Sequence, residues 1–352
     1  MQHSQSSVQL PGVPLALGSA VLFGAATPVS KLLLASVEPQ MLAGLLYLGA
    51  GLGLAVVHLA RSAIGLSVPE APPRRHDLPW LGAIVIFGGI LGPLLLMLGL
   101  GKTLASSGSL MLNLESLATM GIAWLVFREN VDRRLLLGAL AIAVGAIALS
   151  WEGQDLSLDV GAALIASACL CWGIDNNLTR KLSSADPVTI AMVKGLVAGA
   201  ANVAGGFWLG NALPPVGIAI FAALLGFFAI GLSLVLFVLA LRHLGTARTG
   251  AYFSLAPFIG ALIALGLGDP FTPKLAIAAL LMGFGLWLHL TERHEHEHVH
   301  DAAAHEHRHV HDEHHQHDHD GPAAEPHSHW HEHKPLRHKH PHYPDLHHRH
   351  RH

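Results

Sequence analysis

The chain has 352 residues, of which 51% are hydrophobic and 13% charged, with a formal net charge of −3 and a mean hydropathy of +0.45. A soluble domain carries roughly 25% charged residues, so this composition excludes an ordinary soluble protein. The average also hides a break: up to about His289 the chain is rich in Leu, Ala and Gly, whereas Thr291 to His352 is polar and holds 23 of the 28 histidines.

Met1 to Pro11 has no Lys or Arg and no small-residue cleavage pattern, so the first apolar run is expected to be a retained helix and not a removable signal peptide. A spanning helix needs about 20 mainly apolar residues. Ten runs qualify: 13–34, 40–60, 80–101, 104–127, 134–151, 160–181, 187–209, 215–241, 246–268 and 272–290. Pro28, Pro93 and Pro257 interrupt them, which membrane helices tolerate. The small-residue pairs Gly49/Gly53, Gly88/Gly92 and Gly195/Gly199 are expected to let backbones pack closely, with no further chemistry. The expected fold is therefore an all-α polytopic membrane protein with a disordered tail. Its expected segments are 1–12, 13–151 (five helices), 152–290 (five helices) and 291–352.

Basic residues orient the bundle. With the N-terminus inside, the inner loops hold Arg61, Arg74, Arg75, Arg128, Arg133, Arg134, Arg180, Lys181, Arg242 and Arg248, against Lys31, Lys102 and Lys274 outside. This bias places both termini, and so the tail, in the cytoplasm of a cell whose inner or plasma membrane the chain spans.

Ionisable residues at bilayer depth are costly and mark functional positions. Glu115 falls near the middle of the fourth run, where spacing by four puts Ser107, Met111, Glu115 and Thr119 on one stripe. Such a stripe suits a cation or proton pathway; the plainer alternative is a hydrogen-bonded buried glutamate. Asp175, in the sixth run, shares a stripe with Ser167, Cys171 and Thr179, and Lys194 enters the seventh run at similar depth. An Asp175–Lys194 ion pair is expected, either structural or a protonation-coupled gate. Asn113, Asn176, Asn177 and Asn202 are expected to line the same interior through interhelical hydrogen bonds. Cys169 and Cys171 lie about 200° apart on a helix and cannot share one ion without unwinding. Packing suits Cys169, and Cys171 stays open between packing and the Asp175 stripe.

In the tail, His-x-His recurs as His294, His296, His298 and His300; His305, His307, His309 and His311; His317 and His319; His327, His329, His331 and His333; and His338, His340 and His342, with His314 and His315 between. A vector tag would be a run of consecutive histidines, and a mere spacer would not need so many. Neutral imidazole suits Ni, Co and Zn, and interleaved carboxylates add oxygen ligands. Tail binding of a Ni²⁺-, Co²⁺- or Zn²⁺-type ion is expected, with no cofactor required. As partners the sequence implies divalent metal ions and the lipid bilayer, no nucleic acid, and room for a homodimer.

The two halves are weakly similar. Phe23-Gly24 matches Trp172-Gly173, Glu115-Ser116 falls against Ala256-Pro257, and Arg128-Glu129 falls close to Gly268-Asp269. Five spans per copy force the second copy to be inserted upside down, the architecture of secondary transporters. Over about 13–290 the chain resembles the drug/metabolite transporter superfamily in its EamA branch. The resemblance rests on Asn113-Leu114-Glu115 to Phe127-Arg128-Glu129, on Trp172-Gly173-Ile174-Asp175-Asn176-Asn177 to Arg180-Lys181, and on Asp186-Pro187 to Lys194-Gly195. Many members have a proline at the Glu115-Ser116 position, so here a carboxylate stands where the first half could have had a helix break. Members with such tails resemble nickel- and cobalt-resistance exporters, which implies proton-coupled efflux of Ni²⁺ or Co²⁺, with Glu115, Asp175 and Lys194 as coupling or binding groups. The alternatives are export of an amino acid or other organic metabolite with a metal-sensing tail, and a membrane-anchored metal buffer. No nucleophile–base set, phosphate loop or cofactor fingerprint is found, so no enzymatic activity is expected.

Overall fold

A computed structural model describes residues 12–63, 77–127, 133–151, 159–179, 187–244, 246–291, 295–300, 303–309, 327–333 and 336–341. Among the described residues between 12 and 290 the regular structure is entirely helical. The helices are α1 (Gly12–Leu33), α2 (Pro39–Ala63), α3 (Leu78–Leu100), α4 (Ala105–Val126), α5 (Arg133–Ser150), α6 (Val160–Thr179), α7 (Pro187–Trp208), α8 (Val216–Leu241), α9 (Arg248–Gly266) and α10 (Pro273–Leu290). Among the described residues, nine helices are long and apolar enough to cross a membrane. The helix outside that set is α6, whose Asp175-Asn176-Asn177 triplet dilutes its apolar run. Large apolar side chains such as Leu125, Leu140, Leu280 and Phe284 lie exposed on the outside of the bundle, as a lipid solvent allows.

Helix contacts repeat between the halves. α2 packs on α7, and α5 on α10. α1 lies against α8 and α9, while α6 lies against α3 and α4, so the first helix of each half touches the third and fourth of the other. Glycines permit these approaches, as small residues do between helices in lipid. Gly195 and Gly199 meet Gly51 and Leu48 of α2, and Gly49 faces the Ala223 carbonyl of α8. Gly24 of α1 lies against the Ala256 carbonyl of α9, and Gly173 of α6 against Ala118 of α4.

The third and fourth helices of each half are irregular in matching ways. α3 widens into a π-helical turn at Val85–Leu91, and α8 does so at Phe227–Leu232. α9 is broken between Phe253 and Ala256, where Pro257 opens the next segment. α4 is broken between Met111 and Leu114 without any proline. There the amides of Leu112 and Asn113 turn back to Ser109 and Leu110, three residues earlier. Asn113 Nδ2 donates to the Leu110 carbonyl at 2.8 Å, and Ser116 Oγ to the Asn113 carbonyl at 2.7 Å. These short side chains offer the backbone local alternatives to helical bonding, which replaces the proline's role. This corrects the expected continuous fourth helix: the break is present, and Glu115 stands at it.

In the tail, the described segments are set as strands β1 (Glu295–His300), β2 (Ala303–His309), β3 (His327–His333) and β4 (Leu336–Pro341), with β1 antiparallel to β4 and β2 to β3. His305 is set opposite His331, His307 opposite His329, and His309 opposite His327. The physical reason is the strict alternation of histidine with other residues, a period of two that suits a strand. His294, His311, His314, His315, His317, His319 and His342 lie outside the described residues.

Candidate functional site

The site begins with Pro93. It has no N–H to offer the carbonyls of Gly88 and Gly89, five and four residues earlier, and its ring crowds the helix there. The Gly92 amide bonds instead to the Phe87 carbonyl, which makes the π turn. A carbonyl at bilayer depth needs a donor. Side chains of other helices supply them. Tyr47 Oη of α2 donates to the Gly88 carbonyl at 3.0 Å, and Trp172 Nε1 of α6 donates to the same oxygen at 3.1 Å. Asn202 Nδ2 of α7 reaches the Gly89 and Ile90 carbonyls at 3.4 and 3.5 Å, while Asn202 Oδ1 accepts from Gln40 Nε2 at 3.1 Å.

The glycines of this turn form a notch. A methyl on Gly88 would lie 2.1 Å from Asp175 Oδ2, and one on Gly89 would lie 2.5 Å from Ala198 Cβ and 3.1 Å from Lys194 Cγ. Across the notch Lys194 Nζ donates to Asp175 Oδ2 at 2.7 Å, with side-chain exposures of 21% and 6%. Thr179 Oγ1 donates to the other Asp175 oxygen at 3.3 Å. The expected ion pair is thus formed, because α6 and α7 both enter a groove that only glycine leaves open. Gly88 does more than bring backbones together, contrary to expectation.

Glu115 occupies the first turn of the segment Leu114–Phe127, where the helix dipole favours a carboxylate. Its Oε1 accepts from Asn176 Nδ2 at 2.9 Å, and the same amide reaches Thr119 Oγ1 at 3.2 Å. Asn176 and Ser116 are exposed and Glu115 is half-buried, so this polar wall opens onto space and not into packed core. Asn177 is buried and ties α6 to α4 through the Thr119 carbonyl at 3.0 Å. Asn176, which holds Glu115, directly follows Asp175 on α6.

The structure therefore brings together Glu115, Asp175, Lys194, Asn176, Asn177 and Thr119. It does not bring in Met111 or Asn113. The unwinding at 112–113 breaks the expected stripe, Met111 is buried in the core, and its carbonyl faces Cys169 Sγ at 3.6 Å. Asn113 turns toward α10, where its amide lies 3.9 Å from Met282 Sδ. Both cysteines are free and buried; Cys171 is 9% exposed and Cys169 not at all. Among the described residues no group of three or more His, Cys, Asp or Glu side chains is placed to hold a metal ion. Sequence reasoning missed Tyr47, Gln40 and the hydrogen-bonding role of Trp172. The signal was there in Pro93, which leaves carbonyls four and five residues earlier in need of donors.

Residues 10–151 match the EamA-like transporter family, and residues 159–291 match it a second time. The chain belongs to the EamA-like transporter family. This EamA protein is similar to an uncharacterized transporter of Methanothermobacter thermautotrophicus, with 29% identity over 283 residues, 76% of this chain and 82% of the relative. It is also similar to the uncharacterized transporter YyaM of Bacillus subtilis, with 22% identity over 216 residues, 58% of this chain and 70% of the relative. A solved crystal structure shares the fold at a TM-score of 0.58 and 16% identity, covering 79% of this chain and 95% of its own. Family membership and its apolar helices make this chain a multi-pass membrane transporter.

Proposed function

We infer that this EamA transporter exports a divalent transition metal, Ni²⁺ or Co²⁺, from the cytoplasm across the cell membrane against protons. The observation that supports ion coupling most is the polar wall itself: Glu115 held by Asn176 at 2.9 Å beside the Asp175–Lys194 pair. A carboxylate at this depth is expensive as a bare anion, so a proton or cation that neutralises it on one side and leaves on the other would drive a cycle. Ten spanning helices in two inverted five-helix copies suit such a cycle. The matching π turns, helix breaks and cross-half contacts are what two such copies would produce. The excess of basic residues on one set of loops supports a cytoplasmic histidine tail, which would gather ions at the inward mouth.

Lys194 favours a second reading, export of an amino acid or similar metabolite. An ammonium beside two carboxylates and an amide suits a substrate carrying both charges. Accumulation of Ni, Co and Zn in cells with and without the gene separates the two. Metal efflux requires lower accumulated nickel or cobalt when the gene is present. Unchanged content of every metal would overturn it. Truncation after His289 should leave export intact at high metal and weaken it at low metal, if the tail acts by raising local concentration.

A further inference from the structure

The Gly88 carbonyl receives two donors, and they come from opposite halves. Tyr47 belongs to the first half, like Gly88 itself, whereas Trp172 belongs to the second. Two donors on one carbonyl are more than satisfaction requires. Across the bundle, the α1–α8 joint is built differently. Ser19 Oγ donates to the Ser233 carbonyl at 2.8 Å and Ser233 Oγ to the Ser19 carbonyl at 3.0 Å, so both bonds of that clasp join the halves.

We propose that Trp172 is a latch between the halves and that Tyr47 is its stand-in, a positioning pair for transport. When α6 withdraws from α3, the Trp172 N–H leaves and Tyr47 keeps the Gly88 carbonyl paired. Release is thereby made easy, and the notch that seats Asp175 and Lys194 keeps its shape for return. This rests on the reading of a transporter made of two inverted copies, and adds that the copies move against each other during the cycle. It predicts opposite effects for the two donors. Removing Trp172's donor weakens only the latched state. Removing Tyr47's donor leaves Gly88 unpaired only in the released state, so the latched state gains.

Cys171 reports the motion, because it precedes Trp172, shares the Asp175 stripe and is 9% exposed while Cys169 is 0% exposed. The full-length protein is labelled with N-ethylmaleimide. Trp172→Phe should raise the labelling rate about fivefold and Tyr47→Phe should lower it about as much, the factor of one net hydrogen bond. Trp172→His, which restores an N–H donor, should bring labelling back toward wild type. With Ni²⁺ as transport probe, Tyr47→Phe should lower Vmax and leave KM unchanged. Labelling that moves in the same direction in both donor-removing variants, or in neither, would overturn the proposal. If Trp172→Phe does not fold, increased labelling in Tyr47→Phe alone would overturn it. A wild type that moves no Ni²⁺ would sink the metal reading and leave the labelling result standing.

Discussion

Gly88→Ala should abolish transport and sharply lower thermal stability. The new methyl would stand 2.1 Å from Asp175 Oδ2, 2.2 Å from Cγ and 2.8 Å from Cβ. A free side-chain tip could swing away. Asp175 cannot, because Lys194 and Thr179 hold its two oxygens and its own Cβ is part of the clash. α6 must then retreat from α3. Overpacking of this kind costs about 1–3 kcal/mol. The retreat also pulls Trp172 off the Gly88 carbonyl, a further loss of about 1 kcal/mol for the hydrogen bond, and stretches the Asp175–Lys194 contact now held at 2.7 Å. Total stabilities are only about 5–15 kcal/mol, so the sum is a large fraction. Gly82→Ala, on the same helix with open space around the new methyl, is the control and should behave as wild type. Thermal unfolding in detergent, followed alongside Ni²⁺ transport, checks both; an unchanged melting temperature in Gly88→Ala would refute the notch.

The Asp175–Lys194 pair is expected to show stability and transport parting company. Asp175→Asn leaves Lys194 without its counter-charge in a site where its side chain is 21% exposed. Removing one member of a buried pair is far more damaging than removing both. Asp175→Asn should therefore unfold easily, while Asp175→Asn with Lys194→Gln should regain most of the lost melting temperature. If the pair were only a brace, the double variant would transport again. The double variant should fold and stay inactive, because Asp175 and the Asn176 that holds Glu115 are consecutive on α6 and form one polar wall. Transport restored in the double variant would assign the pair a structural role.

Much of the bundle is legible in the sequence because lipid leaves few choices: an apolar run of spanning length is helical. The Asp175–Lys194 contact is legible for a related reason, since two opposite charges at one depth on sequential helices have little else to pair with. What escapes are features set by single backbone groups. The fourth helix breaks on Asn113 and Ser116, whose side chains bond their own backbone, and such bonds leave no periodicity to read. Tyr47 and Trp172 look like ordinary aromatic packing until the Gly88 carbonyl is seen to need donors. In the tail, the two-residue alternation of histidine was read only as ligand spacing, although the same period suits paired strands.

The central claim is that Glu115 couples transport. Glu115→Gln keeps the size of the side chain and an oxygen for Asn176 Nδ2, so the fold should persist. Purified protein in proteoliposomes, loaded with Ni²⁺ and placed under an imposed pH gradient, gives the most direct reading. The wild type should move Ni²⁺ faster with the gradient than without it. Glu115→Gln should lose that acceleration, with a fall on the order of 10²-fold as expected for removal of a proton-transferring group, while Ni²⁺ binding to the tail is unchanged. A Glu115→Gln protein that moves Ni²⁺ at the wild-type rate with the same response to the gradient would contradict the account.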